Sequence, residues 1–355
     1  MHGYAIDAHK LSLHPKRVAS WLEGENIYPI YMEISPSGAC NHRCVFCSMD
    51  FMGYRSKFID TAMMQQRLGE CGKLGIKAVM FAGEGEPLLH PDIAILAHAA
   101  KAAGIDVSFT TNGVLLDEEC ARHILPVTSW IKVSCNAGTP ETYAATHRTN
   151  AKDFGRVMRN MAAAAALRQA EGLACTIGFQ CILLPENSAH IPELARCVRD
   201  LGADYLVVKP YTQSPQSLNH AYAGISYDQV ENLAAQLREE ERPGFQVIFR
   251  HEAMQRWDSK RQDFGRCLAL PFWAYVDADA NVWGCLRHLK EASFHYGNLA
   301  EESFATLWNS PKRLRNVAHC EQHMDVSACH TTCRMELINS YLWRLRHPEP
   351  HDNFI

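Results

Sequence analysis

The sequence predicts an α/β protein: an open, partial (β/α)6 TIM-like barrel followed by a small cysteine-rich C-terminal domain. Three observations predict it. From residue 28 to about 211, short apolar runs alternate with longer amphipathic ones, the pattern of β-α units on a parallel sheet. Six strand candidates occur there, too few to close an eight-stranded barrel. Beyond Tyr211 the alternation stops, and five of the chain's fourteen cysteines crowd between 267 and 333.

In chain order, residues 1–27 form an N-terminal extension, and the stretch from Met1 to Asp7 lacks the apolar core of a secretory signal. Residues 30–35, 78–82, 106–110, 130–135, 176–183 and 205–209 are rich in β-branched and aromatic residues and read as strands. Helical periodicity is clearest over 152–169 and 191–201. Polar and glycine-rich residues gather just after each strand, on the rim where β/α barrels build active sites. The barrel thus spans 28–215. A polar loop at 212–224, a helix over 227–241 and a strand-like 245–249 fill a bridging segment to residue 264. Short strands over 272–277 and 281–283 follow in the cysteine-rich domain, 265–340, and residues 341–355 form a tail.

Composition narrows the function classes. With 355 residues, 47% of them hydrophobic, the chain can bury a large core. A net charge of −4 gives no electrostatic footprint for nucleic acid or for an anionic membrane. The longest apolar stretch, 161–167, is far short of the roughly 20 residues that span a bilayer. The expectation is a cytoplasmic protein with neither nucleic acid nor membrane as partner.

Fourteen cysteines in a chain this long, without an export signal, point to metal or redox chemistry rather than disulfides. Cys71, Cys120, Cys135, Cys175, Cys181 and Cys197 are scattered singly, as buried, inert thiols are. Cys40, Cys44 and Cys47 share one short stretch, Cys40-Asn41-His42-Arg43-Cys44-Val45-Phe46-Cys47. Three thiolates so spaced can hold three irons of a [4Fe–4S] cube and leave the last open to a substrate or cofactor. A tetrahedral zinc site completed by His42 is the alternative.

This spacing, with Phe46 before the last cysteine, resembles the signature of the radical S-adenosylmethionine (radical SAM) enzymes. The resemblance implies that the open iron chelates S-adenosylmethionine. It also implies that a flavodoxin- or ferredoxin-type reductant drives cleavage to methionine and a 5′-deoxyadenosyl radical, which takes a hydrogen atom from the substrate. The cofactor carries the hard chemistry and the protein supplies placement.

Further residues enter through the same resemblance. Gly85-Glu86-Pro87 matches the family's Gly-Gly-Glu-Pro motif, with Glu84 displacing the adjacent glycine; the Glu86 carboxylate and backbone carbonyls there would bind the cofactor's ammonium. Thr111-Asn112-Gly113 and Ser134 look like ribose- and carboxylate-binding positions. Arg148 is similar to the family's carboxylate-binding arginine, whose planar fork suits that task. An ordinary turn and a surface cation are the plainer readings. Cys135, or less favourably Cys181, would return a hydrogen atom to the substrate, as a cysteine does in some epimerases of the family; a buried structural thiol is the competing reading. Lys209 and Tyr211 could bind substrate from the end of the sixth strand.

Downstream, Cys267 and Cys285 flank Pro271-Phe272-Trp273-Ala274-Tyr275-Val276-Asp277, and Cys320, Cys329 and Cys333 follow Tyr296-Gly297-Asn298 and Leu307-Trp308-Asn309. This order resembles the SPASM or twitch domain, which carries auxiliary iron–sulfur clusters. It departs from the full SPASM pattern in having His323 where a cysteine is usual, and no trailing seventh cysteine. The expectation is at least one auxiliary [4Fe–4S] cluster, held by Cys267, Cys285 and two of Cys320, Cys329 and Cys333. A second cluster ligated by His323 and a structural zinc are the alternatives.

The expected activity is oxidation or epimerisation of a small molecule: a sugar, aminocyclitol or sugar nucleotide. About 29 residues precede the first strand, where peptide-modifying members often carry a leader-binding domain. A peptide- or protein-modifying maturase is the alternative, and an iron–sulfur electron carrier or scaffold is the alternative outside catalysis.

Overall fold

The computed structural model describes residues 9–329 and 332–354; the first eight residues, on which the reading of the N-terminus rests, lie outside them. The strands are β1 (Tyr31–Ile34), β2 (Ala78–Phe81), β3 (Asp106–Thr111), β4 (Thr128–Ser134), β5 (Thr176–Ile182), β6 (Tyr205–Lys209), β7 (Gln246–Phe249), β8 (Trp273–Val276), β9 (Asn281–Trp283) and β10 (His295–Asn298). The helices are α1 (Pro15–Leu22), α2 (Thr61–Lys73), α3 (Ile93–Ala102), α4 (Glu118–Ile124), α5 (Pro140–His147), α6 (Lys152–Glu171), α7 (Ile191–Asp200), α8 (Glu231–Arg238), α9 (His251–Ser259), α10 (Phe304–Trp308), α11 (Pro311–His323) and α12 (Glu336–Arg346).

All ten strands share one sheet, in the order β10-β9-β8-β1-β2-β3-β4-β5-β6-β7. Strands β1 to β7 are parallel, so their C-terminal ends share one rim. Side chains alternate across the sheet. Ile34, Phe81, Phe109, Val133, Phe179 and Val208 face the helices and are fully buried, each stabilising by about 1.5–3 kcal/mol. The opposite face is far more polar: Glu33, Ser108, Lys132 and Lys209 stand on it. Helix α6 shows the complementary pattern. It buries Phe154, Val157, Met161, Ala164 and Ala165 at helical spacing and stops at Gly172, which takes a left-handed φ of 62°.

The sheet runs on past residue 215. Strand β7, from the bridging segment, adds a seventh parallel strand beside β6, and β8 returns to pair in parallel with β1. The cysteine-rich region is thereby joined to the barrel's first edge, with β9 and β10 continuing antiparallel. The helix expected over 227–241 starts only at Glu231, because Tyr227 turns inward. Its hydroxyl donates to Leu183 O at 3.0 Å and accepts from Tyr211 N at 2.7 Å, closing the end of β6. Helices α1 and α12 share a cluster with the segment before β8, where Val18 and Trp21 of α1 pack with Phe272 and Leu342.

Candidate active site

The cysteine loop leaves β1 and is pinned on both sides. Gly38 N–H bonds Lys57 O at 2.8 Å, Glu86 N–H bonds Ala39 O at 2.8 Å, and Arg43 and Val45 N–H bond His147 O and Thr146 O. Burial pushes the Cys40 thiol up to about 12, and Cys44 and Cys47 also titrate above the ordinary range, chiefly through burial. Without a metal these thiols stay protonated; a bound cation reverses that balance. The three sulfurs do not all lie within 4.8 Å of one another. Sulfurs on one tetrahedral zinc, at 2.3 Å each, would stand about 3.8 Å apart. The wider set fits a polynuclear cluster better than a single ion.

His42, the suggested fourth zinc ligand, sits with Cys44 and His147 in a group whose ligand atoms do lie within 4.8 Å. His147 is not a free ligand there. Its Nε2 accepts from Asn136 N–H at 3.1 Å, which leaves the proton on Nδ1, directed at Cys44 Sγ 3.4 Å away. Its ring stacks on Tyr143 at 4.1 Å and meets Phe46 edge-on at 5.4 Å. Tyr54 hydrogen-bonds Cys47, and Arg43 lies over the Tyr54 ring at 4.2 Å. Donors of this kind orient ligands and tune the group they hold.

The loop after β2 fits against the cysteine loop through its glycines. A Cβ on Gly85 would approach the backbone oxygens of Ser37 and Ala39 to under 3.0 Å, and Gly83 takes φ +118 beneath Ser35. Glu86, expected to bind the cofactor's ammonium together with backbone carbonyls, also makes contacts within the protein. Its carboxylate is buried and accepts from Thr111 Oγ1, Asn112 N (2.7 Å) and Leu88 N (3.1 Å), so the protein's own donors occupy it. Glu86 acts as a strut that draws the β3 loop to the cysteine loop. Asn112 completes the tie through a 2.6 Å bond from Nδ2 to Asn41 Oδ1. Ser134 is half-buried on the inner face of β4, and Arg148 is exposed just past α5 with φ 46°.

Glu84 points the other way, accepting from Ala278 N at 3.1 Å and linking this loop to the β8–β9 turn. Burial raises its carboxyl to about 7. The folded state therefore holds that proton more tightly than the unfolded chain, and stability present below pH 4.5 is lost as pH rises through 7. Glu84→Gln, which cannot ionise, should gain on the order of 1 kcal/mol over the parent at pH 8 and little at pH 5. Thermal melts at the two pH values test this; an equal difference at both would refute it.

The second set of cysteines is sharper than the sequence allows. Cys267, Cys285, Cys329 and Cys333 line one cavity with Trp273 and Arg287. Burial raises Cys267 to about 12 and lifts Cys285 and Cys333 as well, and the neighbouring sulfurs add to the rise at Cys267 and Cys285. Cys320 is not among them. It is buried in α11 with its thiol toward Ser293 O, because the helix turns it into the packing around Trp283 and Phe294. His323 is exposed beside His319 and does not line the cavity. No three of the four cavity sulfurs lie within 4.8 Å, again wider than one zinc requires.

The polar loop after β6, which carries no chemical signal in the sequence, joins the two sets. Asp50 accepts from Leu218 N and Asn219 N, Asn219 Nδ2 donates to Val45 O, and Thr212 bonds Thr332, next to Cys333. Tyr211 is buried between the sets, its hydroxyl acted on by the charges of Asp50, Arg287 and Cys47. Cys135 needs correction. It lies one residue past Ser134, so it faces the helices; it is fully buried and its thiol turns to Ala137 O. Cys181 is buried in the same core.

Residues 34–198 match the Radical SAM superfamily and residues 267–334 the SPASM iron-sulfur cluster-binding domain. A GTP 3′,8-cyclase of Chlorobaculum tepidum is 27% identical over 187 residues, 51% of this chain and 54% of that one, so the chain spans about half that relative's length. A tungsten-containing aldehyde ferredoxin oxidoreductase cofactor-modifying protein of Pyrococcus furiosus is 23% identical over 80% of this chain and 81% of its own. Among solved structures, Streptococcus suis SuiB bound to precursor peptide SuiA has a TM-score of 0.64 at 15% identity, covering 84% of this chain and 70% of SuiB. SuiB bound to S-adenosylmethionine has the same TM-score. A radical SAM domain implies a [4Fe–4S] cluster and S-adenosylmethionine, and a SPASM domain implies auxiliary iron–sulfur clusters. Among the described residues, no helix is long and apolar enough to cross a membrane. With a match over the barrel and a second over the cysteine-rich region, the chain belongs to the radical SAM superfamily and carries a C-terminal SPASM domain.

Proposed function

We propose that this enzyme modifies a peptide or protein, drawing a substrate side chain into the barrel between the two cysteine sets. The observation that carries the reading is the strap over residues 212–219, which holds the two sets on one rim across the end of β6. Its likeness in fold to SuiB, solved with a precursor peptide bound, supports a peptide over the sugar expected from sequence. Cys40, Cys44 and Cys47 hold the first cluster, and Cys267, Cys285, Cys329 and Cys333 hold the auxiliary one. When bound, the first cluster and S-adenosylmethionine supply chemistry that removes a hydrogen atom from an unactivated C–H bond. The protein's own part is positional: His147 and Tyr54 donate to the ligand sulfurs, the Glu86 strut fixes the Thr111–Asn112 loop, and Ser134 and Arg148 flank the cofactor's place on the rim.

The Pyrococcus relative, named for modifying a cofactor and matched over most of both chains, favours a second reading: a small-molecule substrate. Deuterated cell extract, split into peptide and small-molecule fractions, separates them. Deuterium appearing in 5′-deoxyadenosine from the peptide fraction supports the first reading. Label from the small-molecule fraction alone would replace it with the second.

The cavity geometry makes a further prediction. Cys329→Ala should lower iron from about eight to about four per chain, whereas Cys320→Ala should keep about eight and lose only packing. Iron and labile sulfide analysis after anaerobic reconstitution reads both, and iron loss on replacing Cys320 would overturn the ligand assignment.

A further inference from the structure

The cysteine loop meets a buried imidazole at one of its sulfurs, and the donors around that ring fix where it carries its proton. A backbone N–H donates and never accepts. Asn136 N–H lies 3.1 Å from His147 Nε2, so Nε2 holds a lone pair and the proton sits on Nδ1. The Asn136 side chain agrees: its Oδ1 accepts from Ile182 N at 2.6 Å, which turns Nδ2 toward the same Nε2 at 3.3 Å. Asn187 fixes Asn136 in turn. Its Nδ2 donates to Asn136 O at 3.0 Å and to Ile182 O at 2.8 Å, while its Oδ1 accepts from Leu184 N at 2.9 Å. All three side chains are buried.

With Nε2 filled and Nδ1 protonated, neither nitrogen is free to ligate a metal, so His147 does not complete a site with His42 and Cys44 although their ligand atoms lie close. Its Nδ1–H is directed at Cys44 Sγ instead, 3.4 Å away. The ring is held in that direction, stacked on Tyr143 at 4.1 Å and met edge-on by Phe46 and His42, each at 5.4 Å. Turning it would strand the Asn136 N–H without an acceptor. A donor so fixed does more than steer a ligand. Reduction adds negative charge to an iron–sulfur cluster, and a hydrogen bond to a ligand sulfur stabilises the more negative state more, which raises the reduction potential.

We infer that His147 is a positioning residue that raises the reduction potential of the first cluster through Cys44, and that Asn136 and Asn187 lock it in the donating tautomer. The inference rests on the proposed assignment of Cys40, Cys44 and Cys47 to that cluster.

A redox titration of the reconstituted full-length enzyme, followed by electron paramagnetic resonance, tests it. The first cluster, with its open iron, is the one whose signal should change on adding S-adenosylmethionine, so its potential is read apart from that of the auxiliary cluster. His147→Phe keeps a ring against Tyr143 and loses the donor. At a fixed solution potential the ratio of reduced to oxidised first cluster should fall about tenfold, a shift of about 59 mV to lower potential. His147→Asn, whose amide places an N–H near the position of Nδ1–H, should recover most of that loss. The auxiliary signal should keep its potential in both variants. Isotope-labelled histidine in the unaltered enzyme adds a reading that needs no variant: pulsed resonance of the first cluster should show coupling to a ring nitrogen, and its absence overturns the inference. Variants that hold about eight irons per chain and still cleave S-adenosylmethionine, with the first potential unmoved, overturn the role of His147 alone. A parent enzyme in which no signal responds to S-adenosylmethionine overturns the proposed assignment instead.

Discussion

Cys44→Ala should lower iron by about four per chain and bring S-adenosylmethionine cleavage to background, while the SPASM site keeps its own iron. On the proposed assignment the first site has three thiolates and, among the described residues, no fourth, so each would carry an iron that nothing else can hold. Cys44 is also the most embedded of the three. It receives the Nδ1–H of His147, whose other nitrogen is fixed by Asn136, and Asn136 Oδ1 accepts from Ile182 N at 2.6 Å. Removing the sulfur therefore loses a ligand and strands a buried donor, at about 1–3 kcal/mol. Cys71→Ala is the fitting control. Its thiol packs on Met32 Sδ at 3.9 Å behind the sheet, so its loss should leave a small cavity and full iron. Iron analysis and assay for 5′-deoxyadenosine would read the contrast, and a Cys44→Ala protein with its full iron would refute the assignment.

The contrast between Cys44 and Cys71 is legible in the sequence itself, because three thiols in one loop and one thiol in an amphipathic helix are different local patterns. Strands β1 to β6 are legible for the same reason: their outer faces alternate with polar inner positions in a chain whose helices keep their own period. The parallel return of β8 to β1 is not, since its partner lies more than two hundred residues away and a short apolar run carries no sign of which edge it joins. The outward direction of Cys135 does have a signal in the alternation. If Ser134 faces inward, a period of two sends its neighbour outward, away from any substrate. The choice of Cys329 and Cys333 over Cys320 depends on which way α11 turns, and spacing alone does not carry that. His147 leaves no signal beyond its place beside Arg148, because the sulfur it serves is 103 residues earlier.

Gly85→Ala should damage the first cysteine site more than its single methyl group suggests. The new Cβ would meet the backbone oxygens of Ser37 and Ala39 at under 3.0 Å, and backbone pinned by its own hydrogen bonds cannot swing aside as a side chain would. The loop after β2 must then lift away from the cysteine loop. That breaks the Glu86 N–H to Ala39 O bond and pulls the Glu86 strut from Thr111 and Asn112. Overpacking of this kind costs about 3 kcal/mol or more when neither side can yield. Its chemical consequence should exceed its thermal one. The cysteine loop, which carries Cys40, loses that brace, so the first site should lose its iron and cofactor cleavage, while the second, built on β8, β9 and the segment before α12, retains about four. Gly69→Ala, in α2 with no atom within 4 Å of the added carbon, separates this from a general effect of adding a methyl group. It should keep both iron sites and gain slightly in stability from helix propensity. Full iron occupancy in Gly85→Ala would mean that the two loops do not depend on each other's close approach.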